Sequence, residues 1–260
     1  MFSKPLFIHF IKSNAKVFSI IAGALMLLIG IIMSVFTPDT MKEIAQTSMD
    51  APINPLGDIS TLIAFTANQY FGNFALIFAM IYSIIIGNKL IAAQVDKGSM
   101  AYHLSMPITR TQYTVTSLIY FVSSLLALFI LIFVAGVGVA ELVQPGELPI
   151  DTFFMLTAGS FLLHLAISGI TFLSSCLFNR SSYSLALGAG LTVFFFAANM
   201  LSGMSDSLDI LKNATIITLF DSEAIIQGGE YGAQLFILGG LAIVLYLVGL
   251  VVFKRKDLPL

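Results

Sequence analysis

The sequence has few charged residues, a single cysteine and no tryptophan. Charged residues make up 10% of its 260 residues and hydrophobic residues 58%, with a mean hydropathy of +0.97. Because ordinary soluble domains carry about 25% charged residues, this composition excludes a soluble domain and predicts an integral membrane protein. The lone Cys176 lies inside an apolar run, so no intrachain disulfide can form.

Several motifs of catalytic and ion-coupled proteins are also missing. No phosphate loop of the form Gly-x-x-x-x-Gly-Lys-Ser/Thr occurs, so the chain does not bind ATP by that device. No His-Glu-x-x-His pair is present, and His9, His103 and His164 are dispersed. The long apolar runs contain no Asp, Glu, Lys or Arg, although ion-coupled transporters need ionisable groups at that depth. We therefore expect a non-catalytic chain that binds no cofactor, metal or nucleic acid itself.

Six uncharged segments predict an all-α membrane protein with six transmembrane helices, in one domain covering residues 1–260. Each segment can cross about 30 Å of hydrocarbon at roughly 1.5 Å per residue. For the second segment, this requires that the span also includes uncharged residues from Ile59 onward. The predicted spans are Val17–Phe36, Phe74–Asn88, Thr114–Ala140, Phe153–Phe178, Tyr183–Met204 and Gln234–Phe253.

The charges that flank these segments predict the topology. Ten of the twelve Lys and Arg residues lie in the two terminal segments and in the loops after the second and fourth spans. Twelve of the fourteen acidic residues lie in the remaining loops. By the positive-inside rule, both termini of this multi-pass protein are expected in the cytoplasm.

Two segments outside the spans have patterns of their own. Residues 1–16 place Lys4, Lys12 and Lys16 beside an apolar face, which predicts an interfacial helix that meets the first span at a bend. The alternative is a merely basic tail. Residues 205–233 contain an apolar stretch too short to span, which predicts an extracellular segment that lies on or re-enters the outer leaflet.

The loop 94–113 between the second and third spans is polar and aromatic, with the sequence QVDKGSMAYHLSMPITRTQY. Gly98 is typical of a helix end and Ser99 of a new helix start. Pro107 limits the new helix to about Met100–Ser105.

A capping box formed by Thr109 and Gln112 is predicted to begin the next long helix. The short helix before it is far below the length that is stable alone in water. It is therefore either a tight connector packed on its own bundle or an element that a second protein holds.

The fourth span carries polar side chains at spacings of three or four, which places them on one helical face. This polar stripe comprises Thr157, Ser160, His164, Ser168, Thr171 and Ser175. Asn199 in the fifth span raises the same two interpretations. The stripe can line a translocation path for an amphipathic molecule, or its small hydroxyl residues can pack helices together.

The segment Asn88–Tyr113 resembles the coupling-helix region of permeases of the type V ATP-binding-cassette (ABC) exporters. The family commonly has Glu where this chain has Gln94. Weaker similarities are TLFDSEAIIQGG before the sixth span and the basic ending FKRKDL. The positions that match the family pattern are Gly98, Ser99, Tyr102, Leu104, Ser105, Pro107, Ile108, Thr109 and Arg110.

The resemblance implies the permease subunit of an ATP-driven exporter in a bacterial cell membrane. Such permeases work as dimers, so the resemblance implies a second permease, identical or paralogous. It also implies two copies of a separately encoded cytoplasmic ATPase that binds ATP and Mg. The ATPase is expected to dock on Gln94, Gly98, Ser99, Met100, Tyr102, Leu104, Ser105, Met106, Pro107 and Arg110.

Similarity to phenol-soluble-modulin, lantibiotic and bacitracin-type exporter permeases favours a peptide or peptide antibiotic as the exported amphipathic substrate. A lipid, a drug or sodium are alternatives within this class. A passive channel, or a structural or sensory membrane subunit that contacts lipids but no ATPase, is the alternative from another class.

Overall fold

The computed structural model describes residues 2–37, 40, 61–105, 108–203 and 206–258, apart from the side chains of residues 103, 104, 206, 207 and 209. The predicted docking residues Met106 and Pro107 lie outside the described residues, as does the side chain of Leu104. Helix is the only regular secondary structure in the described part. The α-helices are α1 (Lys4–Val35), α2 (Leu62–Phe65), α3 (Leu76–Leu90), α4 (Ala92–Asp96), α5 (Ser99–Ser105), α6 (Arg110–Val143), α7 (Ile150–Leu177), α8 (Ser181–Ser202), α9 (Ser222–Gln227) and α10 (Gly232–Arg255).

Six of the described helical segments are long and apolar enough to cross a membrane, which confirms the predicted all-α fold with six spans. They are α1, the continuous segment Leu62–Asp96, α6, α7, α8 and α10. One end of this bundle carries positively charged residues and is called the basic end. They include Lys4, Lys89, Arg110 and Lys256. The opposite end carries Glu141 and Asp151 and is called the acidic end.

The second span is built from four helical pieces rather than one regular helix. It begins at Leu62, where the Thr61 side chain accepts a hydrogen bond from the Ala64 amide, and this confirms that the span extends well before Phe74. A π-helix, Thr66–Ala75, joins α2 to α3. The hydroxyl of Tyr70 in the π-helix donates to the Leu25 carbonyl of α1 at 3.1 Å, so this irregular piece is fixed against the first span.

The predicted interfacial segment, residues 1–16, is not a separate helix. Helix α1 runs from Lys4 to Val35 and includes both this segment and the first span. The side chain of Asn14 donates to its own helix at the Phe10 carbonyl, 2.9 Å away, close to the position where a bend was predicted. The location of residues 4–16 in the membrane interface stays a prediction.

Helix α7 lies at the centre of the bundle and is the most buried of the six spans. It packs against α3, α6, α8 and α10, while α1 packs along α6. Small residues allow the closest of these approaches. Gly87 of α3 lies against Thr171 of α7, and Gly249 of α10 lies against Phe172. Close packing through small residues is the usual basis of helix association inside membranes.

At the acidic end, the described part of residues 205–233 folds into short helical turns on the bundle. Two 3₁₀ turns, Asp206–Ala214 and Ile217–Leu219, precede α9. Asp221 caps α9 by accepting from the Ala224 amide at 2.9 Å, and Ile217 and Ile225 are buried against the spans. The proposed contact of this segment with the outer leaflet stays a prediction.

Candidate functional site

The loop between the second and third spans, at the basic end, folds as its sequence predicts. Helix α4 ends at Asp96, and Gly98 follows with φ +72°, a left-handed conformation that glycine adopts without strain. Helix α5 then covers Ser99–Ser105, one residue longer than predicted. Thr109 and Gln112 form the predicted capping box at the start of α6, with both hydrogen bonds at 3.2 Å.

Gln94 and Ser99 stabilise the turn that precedes α5. The Ser99 hydroxyl, expected to cap the new helix, instead donates to Gln94, 2.6 Å from its Oε1 and 3.1 Å from its carbonyl oxygen. The other end of the same amide, Nε2, donates to the Lys89 carbonyl at 3.2 Å. A glutamate at position 94 would lack this N–H donor, so the glutamine here is explained by contacts within the chain.

Helix α5 has one face against the bundle and one face in the open. Met100 has no exposed surface and belongs to the hydrophobic core, so in this structure it anchors α5 to the bundle, and its docking role stays a prediction. Tyr102 is 70% exposed, and Ala101 and Ser105 are exposed beside it. The open face of α5 is therefore the part of the predicted docking set that a second protein can reach.

Asp96 fixes the loop to the start of α8. Its Oδ2 accepts from the Ser181 amide at 3.1 Å, a favourable position for a carboxylate because helix N-termini carry partial positive charge. The side-chain amide of Asn88 donates to the Ser181 hydroxyl at 2.7 Å. Sequence reasoning missed this contact, although Asp96 is one of only two acidic residues in the predicted basic segments.

Arg110 and Lys256 join the start of α6 to the chain's last helix. Arg110 Nη1 donates to the Lys256 carbonyl at 2.8 Å, so the guanidinium expected at the docking surface is held within the chain. The ammonium of Lys256 in turn donates to the Cys176 carbonyl at the C-terminal end of α7, 3.0 Å away. A cation is favoured there by the partial negative charge of the helix end.

Burial lowers the pKa of Lys256 from 10.5 to about 8. The unfolded chain keeps this proton to higher pH than the folded chain, so between pH 8 and 10.5 the free energy of unfolding contributed by Lys256 rises with pH. We expect a Lys256→Met variant to lack this contribution. The melting temperature of the unmodified protein minus that of the variant, measured in detergent, should increase from pH 7 to pH 10.5. Parallel pH profiles would contradict the burial of the ammonium.

The polar stripe of α7 is buried within this chain and contacts neighbouring helices. The Thr171 hydroxyl lies 3.1 Å from the Ser83 carbonyl of α3, and the Ser175 hydroxyl accepts from the Ala92 amide at 2.7 Å. Ser168 shares a 2.6 Å hydrogen bond with the Tyr246 hydroxyl of α10. These contacts favour the packing interpretation over the translocation path.

Of the remaining stripe residues, Thr157 and His164 bond to the backbone, whereas the buried Ser160 hydroxyl has no hydrogen-bond partner among the described residues. Thr157 donates to the Phe153 carbonyl at 2.8 Å. His164 is fully buried, with Nδ1 2.7 Å from the Ser160 carbonyl and Nε2 3.3 Å from the Leu76 carbonyl. Asn199 of α8 is half-buried and accepts through its carbonyl from the Ser202 hydroxyl, apart from the stripe. Across the described residues, no three His, Cys, Asp or Glu side chains are grouped as metal ligands would be.

Six apolar helices, with a short exposed helix at one end, define this chain as a multi-pass membrane subunit. The family model described as "ABC-2 family transporter protein" matches residues 12–258. The chain therefore belongs to the ABC-2 family of membrane transport subunits, which are generally non-catalytic and normally work with an ATPase subunit. No curated protein matches the chain.

Proposed function

We propose that this chain is the permease subunit of an ABC exporter and that its ATPase docks on the open face of α5. The observation that carries the proposal is the two-sided geometry of α5, in which Met100 is buried and Tyr102 is exposed. A short helix needs support from other parts of the structure because it is unstable alone. Met100 supplies that support on one side and leaves the other side available to a partner.

The basic end faces the cytoplasm in this proposal, so both termini and α5 lie on the side where ATP is available. The distribution of charge supports this orientation, because positively charged residues near the ends of spans are retained on the cytoplasmic side. The described positive charges at this end are Lys4, Lys12, Lys16, Lys89, Lys97, Arg110, Arg180, Lys254, Arg255 and Lys256.

The contacts around α5 give a physical route from ATPase movement to the spans. Gln94 and Ser99 fix the turn before α5, Asp96 joins it to α8, and Arg110 joins the segment after it to α10. A displacement of α5 therefore pulls directly on the second, third, fifth and sixth spans. Such an element acts on the transport equilibrium only if the ATPase binds it differently in two states.

The exported substrate in this proposal is amphipathic, with a peptide or peptide antibiotic placed before a lipid, a drug or sodium. The spans carry hydroxyl and aromatic groups, and α7 has no charged side chain after Asp151. A second permease, identical or paralogous, completes the complex. The faces of α8 and α10 support this, because each buries only one narrow row of its residues within the chain.

The proposal is tested by isolating the tagged chain together with the phosphate-loop ATPase encoded by a neighbouring gene. We expect two ATPase copies per permease pair and ATP hydrolysis that increases when the transported class of molecule is added. Peptides, lipids and sodium are compared at matched ionic strength. Solute movement through vesicles that contain the purified chain without any ATPase would instead support the passive-channel alternative.

A further inference from the structure

Four buried polar side chains come together between α1, α3 and α6. They are Asn14 of α1, Tyr82 of α3, and Tyr120 and Ser124 of α6. The Tyr82 side chain lies beside those of Tyr120 and Ser124, and the Tyr120 side chain also lies beside that of Asn14. We call these four residues the tyrosine cluster. It joins the first three spans, and it contains no acidic or basic residue.

Hydrogen bonds among the described residues leave part of this cluster unsatisfied. The Tyr82 hydroxyl and Oδ1 of Asn14 are both buried without a hydrogen-bond partner. The Ser124 hydroxyl donates to the Phe121 carbonyl at 2.9 Å, so its oxygen is left as an acceptor only. Buried polar groups in proteins nearly always have a partner, and the hydrocarbon around a membrane span supplies none. The tyrosine cluster therefore has hydrogen-bonding capacity for a further molecule.

An apolar groove between α1 and α6 gives access to the tyrosine cluster. It encloses about 250 Å³, and Tyr120 and Ser124 line it. The remaining lining is mainly apolar, with Phe7, Ile11 and Phe18 on the α1 side. A pocket with apolar walls and a few convergent polar groups is the usual form of a small-molecule site.

The outer part of the groove lies at the surface of the basic end. The Lys89 ammonium donates to the Ser13 carbonyl at 2.9 Å, so this part of α1 is level with the charged end of α3. Tyr82 precedes Lys89 by seven residues, which is about 10 Å along a helix at 1.5 Å per residue. An amphipathic molecule can therefore enter at the surface and reach the tyrosine cluster with part of its length inside the bundle.

The unused hydrogen-bonding groups match an uncharged amide. The Tyr120 hydroxyl can donate to a carbonyl oxygen, while the Ser124 oxygen can accept from an N–H. The Tyr82 hydroxyl can donate to the oxygen of Tyr120 at the same time, which gives it the partner that it lacks. A phosphate or an ammonium group fits less well, because no charged residue lines the groove to replace the water that a charge would lose.

We propose that this groove binds an amphipathic molecule through an uncharged amide flanked by apolar groups, as occurs in a hydrophobic peptide segment. The amide oxygen accepts from Tyr120, the amide N–H donates to Ser124, and the flanking groups pack on Phe7 and Ile11. The proposal goes beyond transport by an ABC exporter, because the site lies in this chain alone and binding requires no ATPase. Loss of binding and loss of ATPase docking are therefore measured separately.

The absence of tryptophan allows a direct test with the full-length chain. Ile11 lines the groove and is 46% exposed, so an Ile11→Trp variant carries a fluorophore there with little change in packing. The variant is reconstituted in phosphatidylcholine vesicles and titrated with an N-alkyl alkanamide or with the ester of the same chain length. Both probes carry a bromine atom, which quenches tryptophan. We expect the amide to half-saturate the quenching at about fivefold lower concentration than the ester, because the ester has no N–H. A Phe7→Trp variant provides a second reporter in the same groove, should the first fail to fold.

Three further variants decide the outcome. A Phe194→Trp variant on the exposed face of α8 measures how much of each probe enters the membrane, and quenching at the groove is expressed relative to it. In the Ile11→Trp background, Ser124→Ala should reduce the preference for the amide to less than about twofold, and Tyr120→Phe should weaken the binding of both probes about fivefold. Equal quenching at the groove by amide and ester would overturn the proposal, as would an amide preference that survives Ser124→Ala. Weak quenching by both probes would also overturn it, because the groove would then be closed to them.

Discussion

A Tyr102→Asp variant is expected to lose stable association with the ATPase while the permease itself remains folded. Tyr102 is 70% exposed, so the change removes little from the packing of this chain. Exposed tyrosines that become buried in an interface often contribute about 2 kcal/mol or more to binding, which corresponds to roughly a 30-fold change in the dissociation constant. A buried aspartate adds a desolvation cost to that loss. Co-purification and ATPase titration by calorimetry measure the effect.

The matched control is Ile210→Asp at the acidic end. Ile210 is 76% exposed, so this variant also places an aspartate at an exposed apolar position and removes little from the packing of the chain. Association with the ATPase should then be unchanged. An ATPase that still binds the Tyr102→Asp variant, and also a variant with Leu104→Asp, would place the docking surface elsewhere.

A Gly87→Val variant is expected to unfold at a much lower temperature than the unmodified protein. A Cβ at this position would lie 2.8 Å from the Thr171 Cβ and 3.2 Å from the Thr171 carbonyl carbon. Because the second contact is with backbone, α3 and α7 would have to separate. Overpacking costs about 1–3 kcal/mol, and each lost hydrogen bond from Thr171 and Ser175 adds roughly 1 kcal/mol.

The control for this prediction is Gly23→Val in α1, where an added Cβ meets no atom within 4 Å. Both variants replace glycine by valine within a helix, so the change in helix propensity is the same. The difference between their melting temperatures therefore reports the contact with α7. Thermal unfolding in detergent and the yield of folded protein are the measurements. Equal melting temperatures for the two variants would show that α3 and α7 are not packed as closely as in this structure. The packing role of the polar stripe would then be contradicted.

Local features of this fold could be predicted because short-range rules govern them. Span positions follow from uncharged runs, the turn at Gly98 from the left-handed conformation that glycine tolerates, and the start of α6 from the Thr109 capping box. The π-helix at the start of the second span could not be predicted in this way. Its geometry depends on Tyr70 reaching the Leu25 carbonyl, 45 residues away in sequence.

The helices of the loop 94–113 were predicted in their positions, but the orientation of their side chains was not. Spacing alone cannot show that Met100 faces the core, since α5 is too short for its two faces to be distinguished by a repeating pattern. The bond between Arg110 and Lys256 joins residues 146 positions apart, and it exists only because the first turn of α6 lies beside the last turn of α10. Local spacing likewise identified the polar face of α7, but it could not show which helices pack against that face.

The stops on both sides of α5 have a consequence for which sequence changes this segment tolerates. Gly98 ends the preceding helix and Thr109 begins the following one, so neither neighbour can absorb an inserted or deleted residue by growing or shrinking. A change in the number of residues between them would shift the spacing of two spans. We therefore expect this segment to tolerate a substitution at its exposed position 101 far better than any change in the number of residues between Gly98 and Thr109.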